Sequence, residues 1–97
     1  MTNDYEVTND EAAGRYTAVV DGFTAELTYR LRGDRIILTH TGVPPAIEGR
    51  GVGSALVRAM VEDAVSRNLT IVPLCSFVAG WLDRHPEHDV KVGRTGS

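Results

Sequence analysis

The chain has little of several things, and each shortage excludes a class of protein. Its 97 residues include one cysteine, so no disulfide can form within the chain and a small disulfide-stapled fold is excluded. No apolar stretch approaches the roughly 20 residues of a transmembrane helix. Ten Lys and Arg stand against 13 Asp and Glu, a net charge of −3, so the chain lacks the positive excess that binds nucleic acid or anionic lipid. We therefore expect neither nucleic acid nor a membrane as a partner.

What is present is the composition of an ordinary globular domain. Hydrophobic residues make up 42% and charged residues 24%, with a mean hydropathy of −0.12. The first residues are acidic and polar, without the basic segment and apolar run of a signal peptide, so we expect a cytoplasmic location. The length and even composition predict one domain over residues 1–92, followed by a small polar tail, 93–97, that frays.

The first half of the chain has the period-two pattern of antiparallel strands. Between residues 23 and 31, apolar side chains at odd positions alternate with polar ones at even positions. Turn signals with glycine stand on both sides, at residues 21–22 and 32–34. The next run, 35–43, must end at the two following prolines, which have no N–H to give to a strand pair. These patterns predict an antiparallel meander of three or four strands.

The second half changes to the period of amphipathic helices. One helix is predicted from residue 53 to about residue 67, and the short apolar run 71–75 is a strand that this helical crossover would place parallel to the strand before it. Ser76 is the expected N-cap of a second helix that Pro86 limits to a few turns. The apolar residues that mark this helix are Phe77, Val78, Trp81 and Leu82, and the rings of Phe77 and Trp81 are expected in the core. The predicted fold class is α+β: a β-meander, a helix, a parallel strand and a C-terminal helix.

A glycine-rich loop, Gly-Arg-Gly-Val-Gly-Ser at residues 49–54, lies between a predicted strand and the first helix. Unpaired backbone N–H groups and the helix dipole favour an anion there, and Arg50 and Ser54 could add a charge and a hydroxyl. The pattern fits neither the P-loop nor the dinucleotide-binding fingerprint. It therefore indicates a pyrophosphate held by backbone amides, or, as the alternative, a turn whose glycines only let strand and helix pack.

Residues 48–57 resemble the acyl-CoA loop of the GNAT acyltransferase superfamily, usually written Q/R-x-x-G-x-G/A. Residues 40–45, residues 71–78 and Trp81 extend the resemblance to the small, single-domain branch of that superfamily, so that it covers residues 16–92. The resemblance implies a minimal GNAT-like fold with acetyl-CoA as co-substrate and an amine as acceptor. Nothing in the sequence identifies that amine.

The resemblance also implies where acetyl-CoA lies. It places the cofactor between two parallel strands, with pantetheine along the backbone of one strand and pyrophosphate on the glycine loop. The residues then expected to bind it are Thr41, Val43, Gly49, Arg50, Gly51, Val52, Gly53 and Ser54. In one respect the chain departs from the pattern, because Glu48 stands where Gln or Arg is usual. An acid at that position is not expected to contact phosphate.

Cys75 is the first candidate catalytic residue. It ends the predicted strand directly before a helix, where the dipole lowers a thiol pKa and favours the nucleophilic thiolate. The resemblance adds that the small branch has a cysteine at this position, proposed to act in acyl transfer and facing the thioester. The alternative is a buried, inert cysteine.

His40 is the second candidate. It is in phase with Ile36 and Leu38, so its side chain is expected on the buried face of the strand, close to the proposed thioester. A neutral imidazole there could take a proton from the acceptor amine, or from Cys75 if the two side chains converge. The alternative is a hydrogen-bonded core histidine.

No metal site is expected. His85 and His88 are three residues apart, but Pro86 breaks the helix that would align them and no further Cys or His lies nearby. Two functions stay open at this point: an acetyltransferase with an unidentified amine acceptor, and a non-catalytic acyl-CoA-binding or protein-interaction module on the same fold. The expected assembly is a monomer or a weak dimer.

Overall fold

The computed structural model describes residues 5–86 and 90–93. The strands of this part of the chain are β1 (Thr8–Asp10), β2 (Arg15–Val20), β3 (Phe23–Arg32), β4 (Arg35–Gly42), β5 (Thr70–Pro73) and β6 (Lys91–Val92). The helices are α1 (Val52–Ser66) and α2 (Ser76–Arg84), and a short 3-10 turn covers Pro45–Ile47. The predicted α+β fold class is confirmed.

The strands form one mixed sheet in the order β1-β2-β3-β4-β5-β6. The first four pair antiparallel, which is the predicted meander, while β5 is parallel to β4 because α1 crosses over between them. The pairing of β6 with β5 was not predicted, since two residues are too few to show a period. Of the predicted frayed tail, only Gly93 lies within the described residues.

The core lies between one face of the sheet and the two helices. Period-two alternation puts Tyr16, Leu27 and Ile36 on this face, each at most 2% exposed, and α1 covers them with its apolar stripe. Phe23 and Leu31, which share the alternation, are 45% and 42% exposed because they stand at the two ends of β3, beyond the helix.

A β-bulge interrupts the pairing of β3 with β4. Tyr29 lies opposite Leu38, but the preceding Thr28 lies opposite His40, so Thr39 is an extra residue on β4. The hydroxyls of Thr28 and Thr39 are 2.9 Å apart, and that of Thr28 also donates to the carbonyl of His40 at 3.3 Å. Side-chain hydrogen bonds thus support the backbone at the irregularity.

The bulge reverses the phase of the last part of β4. Ile36 and Leu38 point into the core, but His40 is exposed on the outer face of the sheet. Thr41 now lies opposite the buried Leu27 and therefore on the inner face. The expectation that His40 is buried is wrong, because a single inserted residue moves every later side chain to the other face.

Tyr16 fastens α1 to the sheet. Its hydroxyl donates to Asp63 Oδ2 at 2.8 Å, and burial, followed by the hydrogen bond and charge of Asp63, raises the pKa of Tyr16 well above its ordinary value. We expect Tyr16→Phe to lower the free energy of unfolding by roughly 1 to 2 kcal/mol in urea titrations, since the hydrogen bond has a charged acceptor. Tyr29→Phe, which loses a bond to the neutral amide of Asn9, should cost less.

The same two tyrosines predict how stability depends on pH. Burial also raises the pKa of Tyr29, so both phenols stay protonated in the folded chain while those of the unfolded chain ionise near pH 10. Above about pH 10 the unfolded state then binds fewer protons than the native state, and stability falls as the pH rises. Tyr16→Phe should flatten that fall; an unchanged slope would mean that Tyr16 ionises normally in the native state.

Candidate functional site

The site is built where β4 and β5 separate. The two strands pair in parallel from Arg35 and Thr70 to Leu38 and Pro73. The next two N–H groups of the chain, those of Leu74 and Cys75, both donate to the carbonyl of Leu38, at 3.0 and 3.1 Å. Beyond this point β4 continues for four residues, while the segment that follows β5 turns away into α2. A cleft opens between them.

The cleft has a volume of about 510 Å³, within the range of ligand-binding pockets. It joins the end of β4, the glycine loop and the first turn of α2. Its lining residues are Thr41, Gly42, Val43, Glu48, Gly49, Gly51, Gly53, Ser54 and Phe77. Six of the eight residues expected to bind acetyl-CoA thus line one cavity. The other two do not: Val52 is buried in the core, and Arg50 turns outward.

Two of the loop glycines are required by the backbone itself. Gly49 and Gly51 have φ angles of 77° and 80°, the left-handed region that side chains disfavour, and Gly51 is the N-cap of α1. The first intrahelical bond of α1 runs from Ala55 N to Gly51 O, so the preceding N–H groups at the start of the helix have no intrahelical acceptor. These N–H groups, at the positive end of a 15-residue helix, form an anion-binding arrangement.

The third glycine of the loop, Gly53, is explained by side-chain packing and not by its backbone angles. A Cβ on Gly53 would lie 2.8 Å from Cζ of Phe77, so glycine lets the Phe77 ring of α2 lie against the first turn of α1. Gly53 is thus a packing glycine, but its neighbour is a helix and not the strand that the alternative raised from the sequence supposed; at Gly49 or Gly51 a Cβ would meet no atom within 4 Å. Phe77 is 38% exposed and forms a wall of the cleft; only Trp81, fully buried, fulfils the expectation that both rings lie in the core.

The charges at the cleft are not those of an ordinary phosphate site. Among the described residues that line it, Glu48 is the only charged one, and it is exposed. The guanidinium of Arg50 instead forms an ion pair with Asp21 of the β2–β3 turn at 2.8 Å, while its carbonyl accepts a hydrogen bond from Tyr5 at 2.6 Å. An anion in the cleft would depend chiefly on backbone N–H groups.

Cys75 occupies the N-cap of α2, and its sulfur is 3.3 Å from the hydroxyl oxygen of Thr41. Burial raises the pKa of the Cys75 thiol, but the hydrogen bond with Thr41 and the backbone N–H groups of Val78 and Phe77 lower it by more, so the pKa lies below its ordinary value. Those N–H groups form no standard capping bond and act as dipoles at the helix N-terminus. Ser76, expected as the N-cap, is the first helical residue instead.

The histidines lie elsewhere. His40 is on the outer face of β4, so the structure does not bring it together with Cys75; its Nε2 would be 3.2 Å from a Cβ on Gly42. His85 stacks on Trp81 at 3.9 Å between ring centroids, and its Nδ1 is 2.8 Å from the Trp81 carbonyl oxygen. His88 lies outside the described residues. Within residues 5–86 and 90–93, no group of three His, Cys, Asp or Glu is placed to hold a metal.

A mixed sheet whose central parallel strands diverge beside a glycine loop at a helix N-terminus defines a GNAT-like fold. A sequence model described as GCN5-related N-acetyl-transferase matches residues 15–91. The chain belongs to this family, and the resemblance found in the sequence is confirmed. No helix in the described part of the chain is long and apolar enough to cross a membrane.

Individual relatives agree with the family assignment. The chain is 30% identical over 84 residues to the protein NATD1 of Gallus gallus, covering 84% of this chain and 76% of that protein. It is also 30% identical to the human NATD1 over 83 residues, 82% of this chain and 74% of the relative. The solution NMR structure of a GCN5-like protein of Staphylococcus aureus, classed with the N-acetyltransferases, superposes with a TM-score of 0.72 at 33% identity, covering 95% and 92% of the two chains.

Proposed function

We propose that the protein takes the acetyl group of acetyl-CoA onto the sulfur of Cys75 and passes it to an amine. The observation that carries the proposal is the position of Cys75: its sulfur is hydrogen-bonded to Thr41, a residue of the cleft wall, and stands at a helix N-terminus. Both features favour the thiolate, which is the nucleophilic form.

The cleft supports acetyl-CoA as the donor. Its pyrophosphate would lie on the N–H groups of the glycine loop, where the dipole of α1 favours negative charge. From residue 39 on, β4 has no strand partner on its β5 side among the described residues, so the backbone of Thr41–Val43 is open to the amide groups of pantetheine. The thioester would then lie between the end of β4 and Cys75.

The proposed chemistry has two steps. In the first, the Cys75 thiolate attacks the thioester carbonyl; a bond forms between sulfur and the acetyl carbon, and CoA leaves as a thiolate that takes a proton from solvent. In the second, a neutral amine attacks the acetyl-cysteine, the amine gives up a proton, and Cys75 is released as the thiolate. Kinetics of the ping-pong type follow from this order.

His40 has a separate place in the proposal. Since it lies across β4 from Cys75, it cannot take the thiol proton, but it stands beside Gly42, which lines the cleft. An amine that enters from the outer face of the sheet would pass the imidazole, which we assign as the base for the acceptor. The chemistry also needs Cys75 as a free thiol, which a reducing compartment such as the cytoplasm maintains.

Calorimetric titration with acetyl-CoA and with CoA, followed by intact-mass spectrometry of the same sample, tests the proposal. We expect binding of both ligands and a gain of one acetyl group that Cys75→Ala abolishes. Binding without the adduct would favour direct transfer or the alternative function, a non-catalytic acyl-CoA-binding module. If CoA neither binds nor raises the melting temperature, acetyl-CoA is not the donor and the proposal is wrong.

Glu48 gives a prediction about donor affinity. Its carboxylate lies at the rim of a cleft proposed to hold a pyrophosphate, so Glu48→Gln removes a repulsion of roughly 1 kcal/mol at 4 Å in water. We expect acetyl-CoA to bind about 3- to 10-fold more tightly, with the gain shrinking as salt is added. Glu62→Gln, an equal charge change on an exposed residue of α1 outside the cleft lining, is the control. An equal gain in both variants would indicate a general effect of net charge.

A further inference from the structure

We propose that Thr41 is a positioning residue for Cys75: its hydroxyl donates a hydrogen bond to the sulfur and holds the thiolate against the cleft wall that Thr41 forms. This inference rests on the proposed function, in which Cys75 accepts the acetyl group. It assigns the side chain of Thr41 a task distinct from that of its backbone, which is expected to pair with pantetheine.

The first support is the geometry of the pair. The two atoms are 3.3 Å apart and partly buried, although 34 residues separate them in the chain. A thiolate has no hydrogen to donate, so in the reactive form only the threonine hydroxyl can be the donor. Thr41 is β-branched, which restricts its χ1 angle and limits the positions that the hydroxyl can take. The donor is therefore held ready in the resting protein.

The second support is the way the fold delivers Thr41 to this place. In a regular strand, His40 would follow Ile36 and Leu38 onto the inner face. The extra residue Thr39 moves Thr41 there instead, opposite Leu27 and within reach of Cys75. The bulge thus replaces a titratable ring by a hydroxyl beside the sulfur.

The third support is electrostatic. Burial alone raises the pKa of the Cys75 thiol, and the hydrogen bond with Thr41 comes first among the contacts that lower it, ahead of the N–H groups of Val78 and Phe77. The Thr41 hydroxyl is therefore the largest single contribution to thiolate stabilisation, and the N–H groups of the helix N-terminus add to it. Removing the Thr41 hydroxyl should weaken the thiolate even though α2 is intact.

The test uses the rate at which iodoacetamide alkylates the protein as a function of pH. Cys75 is the single cysteine of the chain, so the reaction reports on one sulfur, and Cys75→Ala is the blank. Thr41→Val keeps the shape and the β-branch without the hydroxyl, whereas Thr41→Ser keeps the hydroxyl. The bulge hydrogen bonds between Thr28 and Thr39 do not involve residue 41, so the strand should be retained.

We expect Thr41→Val to move the midpoint of the profile to higher pH and to lower the rate at pH 7 by about 3- to 10-fold. At high pH, where the thiol is ionised in every variant, its rate should equal or exceed that of the wild type, because a more basic thiolate is the better nucleophile. A variant that merely altered access to the sulfur would change the rate by one factor at every pH. Thr41→Ser should follow the wild type.

Profiles of Thr41→Val and wild type that coincide would overturn the inference, and so would a uniform loss at all pH values. If valine disturbs the strand, as thermal unfolding would reveal, Thr41→Ala against Thr41→Ser gives the same contrast. The outcome is separate from that of the proposed function, since alkylation needs no acetyl-CoA. A shifted profile without an acetyl adduct would support the role of Thr41 and overturn acetyl transfer through Cys75. An adduct with an unshifted profile would support acetyl transfer through Cys75 and overturn the role of Thr41.

Discussion

Cys75→Ala is expected to abolish the release of CoA that accompanies acetylation of the protein. When wild-type chain is mixed with excess acetyl-CoA and no acceptor, free thiol should appear in a burst of one equivalent per chain, because the acetyl group stays on Cys75. The variant has no nucleophile at this place, so the burst should vanish. With an acceptor present, kcat/KM should fall by roughly 100-fold or more. The burst measurement needs no knowledge of the natural acceptor.

The control for this loss is binding. Cys75 is not among the residues that line the cleft, so the dissociation constant of acetyl-CoA should stay within about threefold in Cys75→Ala. Cys75→Ser should behave like the alanine variant, since a serine hydroxyl without a base remains protonated. A burst that survives in either variant would contradict the acyl-enzyme.

Direct transfer predicts a different pattern. In direct transfer, the wild type shows no burst, and Cys75→Ala acetylates an acceptor as fast as the wild type does. Cys75 would then lie near the thioester without reacting with it. The base for the amine then matters most, and His40→Gln should lower the rate of acetylation. An unchanged rate in His40→Gln would remove the imidazole from the mechanism.

Much of the fold could be predicted because its elements carry strong periods. In a half-buried strand, the alternation along residues 23–31 allows only one choice of buried face. The glycine turns at residues 22 and 33 set the ends of the strand. The bulge at Thr39 could not be predicted, because residues 35–43 are rich in β-branched and apolar side chains that fit either phase. The position of His40 was therefore assigned to the wrong face.

The candidate site was predictable where it depends on backbone chemistry. Gly49 and Gly51 are signals of a left-handed loop at a helix N-terminus, whatever surrounds them. Contacts between side chains that are distant in the sequence could not be predicted. The pairing of Thr41 with Cys75 spans 34 residues and depends on the bulge. Likewise, nothing in the local sequence of Arg50 indicates that Asp21 holds it away from the cleft.

Gly53→Ala is expected to lower the affinity for acetyl-CoA by about tenfold or more while changing stability little. Gly53 is the second residue of α1, where the advantage of alanine over glycine is smaller than the roughly 0.5 to 1 kcal/mol of a helix interior. Against this gain, the new methyl would lie 2.8 Å from Cζ of Phe77, and such crowding costs about 1 to 3 kcal/mol if the ring stays in place. Because Phe77 is 38% exposed, its ring can move, and the cleft that it lines lies beside it. The penalty should therefore appear in ligand binding and not in unfolding.

A double variant separates this mechanism from a simple loss of loop flexibility. Phe77→Leu removes the ring edge that the methyl meets, so Gly53→Ala combined with Phe77→Leu should bind acetyl-CoA more tightly than Gly53→Ala alone. Gly80→Ala on α2 is the matched helix control: its Cβ meets only the flexible end of Arg84, so it should add stability without changing affinity. If the double variant bound no better than Gly53→Ala, the glycine would act through the backbone of the loop, as Gly49 and Gly51 do. Rescue would instead show that the third glycine of the motif exists here to let an aromatic wall stand beside the bound ligand.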